Sequence, residues 1–130
     1  MEEKDIFGRF PKLFRQKDLP MTHTCMCWGL SCGKGWYPLI ANLCEKINAH
    51  LKENPNIDQP EFAQVKEKFG MLRIYMDGGD DYIDELISQA ESESSSVCEQ
   101  CGAEGFLIKK GWWRTICSHC EANLFSKPIE

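Results

Sequence analysis

The stretch CEQCGAEGFLIKKGWWRTICSHC, residues 98–120, contains two pairs of cysteines, and two residues separate the members of each pair. Fifteen residues, Gly102 to Ile116, lie between the pairs. The two-residue spacing lets both sulfurs of a pair face one metal ion, and a hairpin between the pairs brings all four sulfurs together. The sequence therefore predicts a structural zinc site with the ligands Cys98, Cys101, Cys117 and Cys120. Four thiolates leave no position for a substrate water, so the predicted zinc ion serves folding.

Two alternatives to this ligand set remain open at the level of sequence. Iron in a rubredoxin-like site is held by similar pairs of cysteines. His119 lies between the last two cysteines and could replace one of them as a ligand.

The residues around the cysteines also predict secondary structure. Phe106–Lys109 and Trp112–Ile116 are typical of strands, and the two residues between them can form a turn. The segment that starts at Ser118 predicts a helix that ends before Pro128. A hairpin followed by a helix is typical of a treble clef rather than of a flat zinc ribbon.

The whole chain predicts an α+β fold with two parts. Residues 1–95 are expected to form a small helix-hairpin-helix domain, which starts with an arm rich in aromatic residues and cysteine. Residues 96–130 are expected to form the zinc-stapled treble-clef or zinc-ribbon module.

Hydrophobic periodicity supports the first part of this prediction. Apolar residues recur at steps of three and four from Pro38 to Lys52, which predicts a helix with one buried face. Residues 61–76 alternate on both sides of a glycine, which indicates two strands of a hairpin. A second helix is predicted from about Asp81, and the polar run 91–96 predicts a frayed helix end or a short linker.

The N-terminal arm contains a second group of metal-ligating residues. His23, Cys25, Cys27 and Cys32 could bind a second zinc ion, with Cys44 as a further donor. One residue between two cysteines is uncommon spacing for structural zinc, and free cysteines are often simply buried. One zinc ion is therefore predicted, and a second at these residues is not favoured.

Composition limits the class of protein. The chain has 130 residues and a net charge of −5, which argues against a surface that binds nucleic acid or membrane as a whole, since such partners attract clustered Lys and Arg. The first residues do not resemble a signal peptide, so a cytoplasmic location is expected. The three histidines lie in no recognisable pattern with a nucleophile or carboxylate, and no enzyme activity is predicted.

An acidic segment is the first candidate binding surface. Residues 77–96 contain seven Asp or Glu residues and no Lys or Arg. These carboxylates could dock into a basic groove of a partner, or they could form an ordinary solvated helix face. The partner-binding candidates are Asp80, Asp81, Asp84 and Glu85.

The zinc hairpin supplies the second candidate surface. Lys109, Lys110 and Arg114 flank Trp112 and Trp113, a combination that could stack on bases and contact phosphates. The alternative is that the tryptophans pack around the zinc site and keep water from its thiolates.

Three motifs give the chain a resemblance to a known family. They are CGKGWYPLI at residues 32–40, VKEKFGMLR at residues 65–73, and the two cysteine pairs that flank GWWRT at residues 111–115. With these motifs the chain resembles small zinc-binding proteins encoded by tailed bacteriophages and prophages, a family without an assigned activity. The resemblance covers about Trp28 to Cys120. Members often have His near the last ligands, which keeps His119 among the candidate ligands.

The resemblance implies a phage protein that acts in the cytoplasm of a bacterial host. The leading expectation is a non-enzymatic accessory protein that binds and modulates a host protein or nucleoprotein complex, such as a CRISPR-type or other defence system. The alternative is a zinc-dependent regulator that binds nucleic acid directly. No membrane partner is expected, and no oligomeric state is predicted.

Overall fold

The computed structural model describes residues 1–126 and shows a mixed α+β fold. The α-helices are α1 (Glu3–Arg9), α2 (Tyr37–Glu53), α3 (Asp81–Glu93) and α4 (Ser118–Ser126). The strands are β1 (Leu30–Ser31), β2 (Glu61–Lys68), β3 (Met71–Asp77), β4 (Phe106–Ile108) and β5 (Arg114–Ile116). Short 3-10 turns occur at Arg15–Asp18, Met26–Trp28, Lys34–Trp36 and Ser94–Ser96. Pro128, where the sequence predicts the end of the last helix, lies outside the described residues.

The strands form two separate sheets. In the larger sheet β2 lies between β1 and β3; it runs parallel to β1 and antiparallel to β3. The smaller sheet is the antiparallel hairpin of β4 and β5. Strand β1 was not predicted, because a strand of two residues has no periodicity that sequence can reveal.

The turn between β2 and β3 is tight and strained. Lys68 pairs with Met71, so only Phe69 and Gly70 form the turn, and both have positive φ, at 53° and 82°. Such two-residue turns favour Asn or Gly, since a bulky side chain in this left-handed region clashes with its own backbone. The Glu67 carboxylate accepts a hydrogen bond of 2.7 Å from the Gly70 N–H and stabilises the turn.

The main core lies between the larger sheet and the helices α2 and α3. The N-terminal arm packs against the same core through buried side chains of its own, and the Phe62 N–H donates to the Leu13 carbonyl at 2.8 Å. The fully buried side chains of the main core include Ile6, Leu13, Phe14, Trp36, Ile40, Ile47, Phe62, Val65, Leu72 and Ile83. These residues come from every part of the chain up to α3, which makes the arm part of the folded body.

The polar end of α3 is not a loose linker. The Ser94 side chain is fully buried, and its hydroxyl accepts a hydrogen bond of 3.0 Å from the Leu72 N–H. The Glu91 carboxylate accepts one of 2.9 Å from the Ile74 N–H. The sequence prediction of a frayed end was wrong at these residues, because their polarity satisfies the free edge of β3 rather than facing water.

A glycine-rich segment joins the cysteine module to the main core. The Gly35 N–H donates to the Glu99 carbonyl at 2.7 Å, and the Gly33 N–H donates to the Glu99 carboxylate at 2.8 Å. The Trp36 indole N–H donates to the Val97 carbonyl at 2.7 Å. The backbone of residues 33–35 lies so close to residues 98–99 that a Cβ on Gly35 would overlap the Cys98 carbonyl oxygen. This contact explains the glycines of residues 32–36, for which sequence alone indicated no role.

Within residues 1–126, no helix has both the length and the apolar character needed to cross a bilayer.

We expect Gly35→Ala to destabilise the protein by about 1–3 kcal/mol, because the added methyl group must push the backbone of Cys98 and Glu99 away. The measurement is the free energy of unfolding in urea. The matched control is Gly8→Ala: the position lies in α1 and has no atom within 4 Å of the added Cβ, so this change should be neutral or stabilising. Equal stability of Gly35→Ala and the wild-type protein would contradict the tight junction.

Candidate metal centre

The first cysteine pair lies in a turn held by backbone hydrogen bonds. The Cys98 N–H donates to the Ala103 carbonyl at 2.7 Å, and the Gly102 N–H donates to the Cys98 carbonyl at 2.9 Å. Gly102 has a φ of 84°, which a glycine adopts without strain and which lets the chain reverse directly after Cys101. The turn therefore directs two sulfurs to the same side.

The second pair lies at the junction of a strand and a helix. Cys117 follows β5 directly, and Cys120 lies in the first turn of α4. The Cys120 N–H points at the Cys117 sulfur, 3.4 Å away, so a backbone donor already faces a ligand atom. Hairpin and helix together present the second pair to the first.

The four sulfur atoms form a compact cluster. All lie within 4.8 Å of one another, and the sulfurs of Cys101 and Cys117 are 3.6 Å apart. Ligands at the zinc–sulfur distance of about 2.3 Å occupy tetrahedral corners separated by about 3.8 Å. The cluster is therefore positioned to bind a metal ion such as zinc. Cys98 and Cys117 are buried, whereas Cys101 is exposed.

The electrostatics of the cluster favour a bound cation. Burial opposes ionisation of Cys98, but hydrogen bonds from neighbouring backbone N–H groups outweigh it and lower the pKa of this thiol to about 7. Hydrogen bonding with the Cys117 sulfur, together with burial, raises the pKa of Cys120 to about 12. The Cys98 thiol thus loses its proton more readily than the Cys120 thiol, whose proton is held by the hydrogen bond with Cys117. A divalent ion bound by the four sulfurs would displace these protons and stabilise all four thiolates.

Neither His119 nor the N-terminal cysteines join a metal-binding group. The His119 ring lies 3.1 Å from the Asn123 side-chain amide. Cys27 donates to the Thr24 carbonyl, and burial, followed by nearby carboxylates, raises the pKa of Cys32 to about 12. Cys98, Cys101, Cys117 and Cys120 are the one group of three or more potential ligands in the described part of the chain, so His23, Cys25, Cys27 and Cys32 are not assembled into a second site.

Of the four acidic candidates, Asp80 is hydrogen-bonded to other residues of the protein, and the remaining three are exposed. The Asp80 carboxylate caps α3 by accepting from the Ile83 N–H at 3.0 Å, and it lies 2.8 Å from the His50 ring nitrogen. The His50 hydrogen bond, followed by the Ile83 one, lowers the pKa of Asp80. Asp81, Asp84 and Glu85 are exposed on the same helix. The sequence did not reveal the contact of His50 with a carboxylate, because Asp80 lies 30 positions further along the chain.

Trp112 and Trp113, between strands β4 and β5, face solvent. Trp112 is 72% exposed and Trp113 is 39% exposed, and neither belongs to the apolar group around the cysteines. Their exposure favours a surface role over the alternative in which they shield the thiolates from water. Lys109 places its ammonium 4.9 Å from the centre of the Trp113 ring, and the Arg114 side chain donates to the Trp112 carbonyl at 3.5 Å.

The structure adds a residue that the sequence did not single out. Phe69, at the tip of the β2–β3 turn, lies 6.2 Å from Trp113 between ring centres. An open groove of about 610 Å³ runs between the two hairpin tips, and we call it the aromatic groove. It is lined by Glu67, Lys68, Phe69, Gly111, Trp112 and Trp113. The sequence signal for the role of Phe69 was that an aromatic residue stands in the β2–β3 turn, where small residues are favoured.

Comparison of the chain with models of known families, with curated proteins and with solved structures found no match.

We expect the purified, reduced protein to contain about one equivalent of zinc per chain. Cys101→Ser should lower that content to well below half an equivalent, since three thiolates and a hydroxyl bind zinc weakly. Cys25→Ser is the matched control, because Cys25 is exposed and lies outside the cluster. Elemental analysis gives the content and the metal's identity. Equal loss of zinc in both variants, or iron in place of zinc, would contradict the assignment.

Proposed function

We propose that the protein is a non-enzymatic, zinc-dependent phage accessory protein that binds nucleic acid through its basic and aromatic hairpin. The observation that carries this proposal is the exposure of Trp112 and Trp113 beside cationic side chains. Exposed aromatic rings next to Lys and Arg are what nucleic-acid-binding surfaces use to stack on bases and to contact phosphates.

Zinc has a structural role in this proposal. The order of a cysteine turn, the β4–β5 hairpin and α4 supports a treble-clef module, carried by a helix-hairpin-helix domain. The ion would hold the ends of the hairpin through Cys98, Cys101, Cys117 and Cys120. The side chains that contact the ligand lie at the other end, around Lys109, Lys110 and Arg114.

The charge of the whole chain is compatible with this surface. At physiological ionic strength, interactions between exposed charges fade over about 8 Å. The net charge of −5 therefore weakens long-range attraction to a polyanion but does not cancel local contacts between phosphates and the lysines of the hairpin. The acidic remainder would limit non-specific binding.

We expect Lys109→Glu combined with Lys110→Glu to abolish binding to DNA or RNA in a gel-shift or anisotropy titration. Each lost phosphate contact should lower the slope of log K against log salt by about 1. Lys12→Glu combined with Lys52→Glu is the control, because it makes the same change of charge at two exposed lysines in the arm and in α2. The proposal fails if the wild-type protein gives no shift at low salt.

A second candidate function is binding to a host protein complex, such as a defence system, through the acidic face of α3. It is favoured by the exposure of Asp81, Asp84 and Glu85, none of which forms a salt bridge with another residue of the described chain. Asp80 would fix the start of the helix rather than meet the partner, since its carboxylate is bonded to Ile83 and His50.

For this candidate, the variant is Asp84→Lys combined with Glu85→Lys. Folding should change little, because exposed substitutions move stability by about 0.5 kcal/mol or less. Association with a partner captured from host lysate should slow, since charge complementarity acts mainly on the on-rate. Asp58→Lys combined with Glu104→Lys is the control at exposed sites off the helix. Unchanged association kinetics at low salt would leave the acidic face without a role.

A further inference from the structure

The aromatic groove joins two hairpins that are distant in sequence. Phe69 lies at the tip of the β2–β3 hairpin, and Trp112 and Trp113 lie at the tip of the β4–β5 hairpin. All three side chains are substantially exposed, Phe69 at 65%. A contiguous exposed group of large aromatic side chains is unusual on a small protein and marks a binding surface.

The two tips are held together by short contacts beneath the groove. The buried Thr115 hydroxyl donates to the Gly70 carbonyl at 2.7 Å. A Cβ on Gly70 would lie 2.6 Å from the Leu107 side chain and 3.0 Å from the Arg114 backbone nitrogen. The groove is therefore built on a close junction whose geometry is set before a ligand arrives, which lowers the entropic cost of binding.

Phe69 occupies its position against the local preference of the backbone. Its φ of 53° is rare for a bulky residue, and its ring is exposed, so burial in the core does not compensate for the strain. Strained residues of this kind concentrate at ligand sites, where the surrounding structure keeps them in place. Glu67 and Thr115 supply that support by bonding the N–H and the carbonyl of Gly70.

The charges around the groove select an anionic ligand. Lys68 lies over the Phe69 ring at 5.7 Å, and Lys109 lies over the Trp113 ring at 4.9 Å. Lys110 and Arg114 add two further positive charges on the zinc hairpin. The groove lining contains one carboxylate, Glu67, whose charge remains, so the four cationic side chains leave an excess of positive charge around the groove.

We propose that the aromatic groove holds single-stranded nucleic acid, with bases stacked on Trp112, Trp113 and Phe69 and phosphates bound by the lysines beside these rings. This inference rests on the proposed nucleic-acid function and narrows it to unpaired strands. A single strand offers the faces of its bases, whereas a duplex uses those faces in its own stack. The groove volume of about 610 Å³ lies in the range of sites that hold ligands of nucleotide size or larger.

The test compares strands and variants in one assay. Fluorescently labelled oligo-dT and oligo-U of about 15 nucleotides, and a duplex of equal length, are titrated with zinc-loaded protein at fixed salt. The single strands should bind at least about tenfold more tightly than the duplex and should quench tryptophan fluorescence through stacking. The two single strands distinguish DNA from RNA as the preferred ligand.

The groove variants are Trp112→Ala and Phe69→Ala, and each should weaken single-strand binding by about 5- to 100-fold. Phe69→Tyr should retain binding because it keeps an aromatic ring at the tip. Trp28→Ala is the matched control, since Trp28 is 66% exposed and lies outside the groove. Circular dichroism and zinc content show whether each variant is folded. If Phe69→Ala does not fold, the test at this position rests on Phe69→Tyr, which should fold and bind.

The outcomes separate this inference from the proposed function. Loss of single-strand binding in both groove variants, with Trp28→Ala unaffected, supports it. The inference is overturned if binding needs Lys109 and Lys110 but tolerates both groove variants. It is also overturned if duplex binds as tightly as single strands. In either case the proposed function stands. Absence of any binding overturns both. A protein partner whose capture requires Trp112 and Phe69, without nucleic-acid binding, also overturns the inference.

Discussion

The gathering of four cysteine sulfurs at one point is the constraint on which the C-terminal module depends. The sulfurs lie within 4.8 Å of one another, and among the residues whose side chains the structure describes, the apolar group around them comprises Ile116, Ile108 and cysteines from the cluster itself. A metal ion bound to all four sulfurs as thiolates would add its binding free energy to the folding of the module.

The cysteine module is joined to the rest of the protein through backbone contacts. The cysteine turn carries Glu99, which accepts hydrogen bonds from Gly33 and Gly35, and β5 carries Thr115, which donates to the Gly70 carbonyl. These junctions require glycines because side chains would separate the two backbones. The two walls of the aromatic groove belong to different hairpins, so the groove exists only while these junctions hold. The module that carries the cysteine cluster therefore also carries one wall of the groove.

The sequence predicted the features that depend on local spacing and missed those that depend on distant contacts. The two cysteine pairs identified the metal cluster, and regular steps of apolar residues located α2 and α3 to within a few residues. Strand β1 is too short for periodicity, and the buried role of Ser94 arises only because α3 ends beside the edge of β3. The approach of Phe69 to Trp113 joins residues 44 positions apart, and no local pattern encodes it. Trp112 and Trp113 were thus recognisable as candidates from the sequence, whereas Phe69 and the groove that the three residues form were not.

The distribution of charge bears on how such a groove would achieve affinity. Most basic nucleic-acid-binding proteins gain much of their free energy from phosphate contacts, which any sequence or strand can provide. This chain carries a net charge of −5, and its positive side chains near the groove are few. Stacking on Trp112, Trp113 and Phe69 would then contribute a larger share, and stacking is available only to unpaired bases. Under the proposed function, an acidic body with a small cationic, aromatic groove would therefore discriminate against duplex more strongly than a uniformly basic surface does.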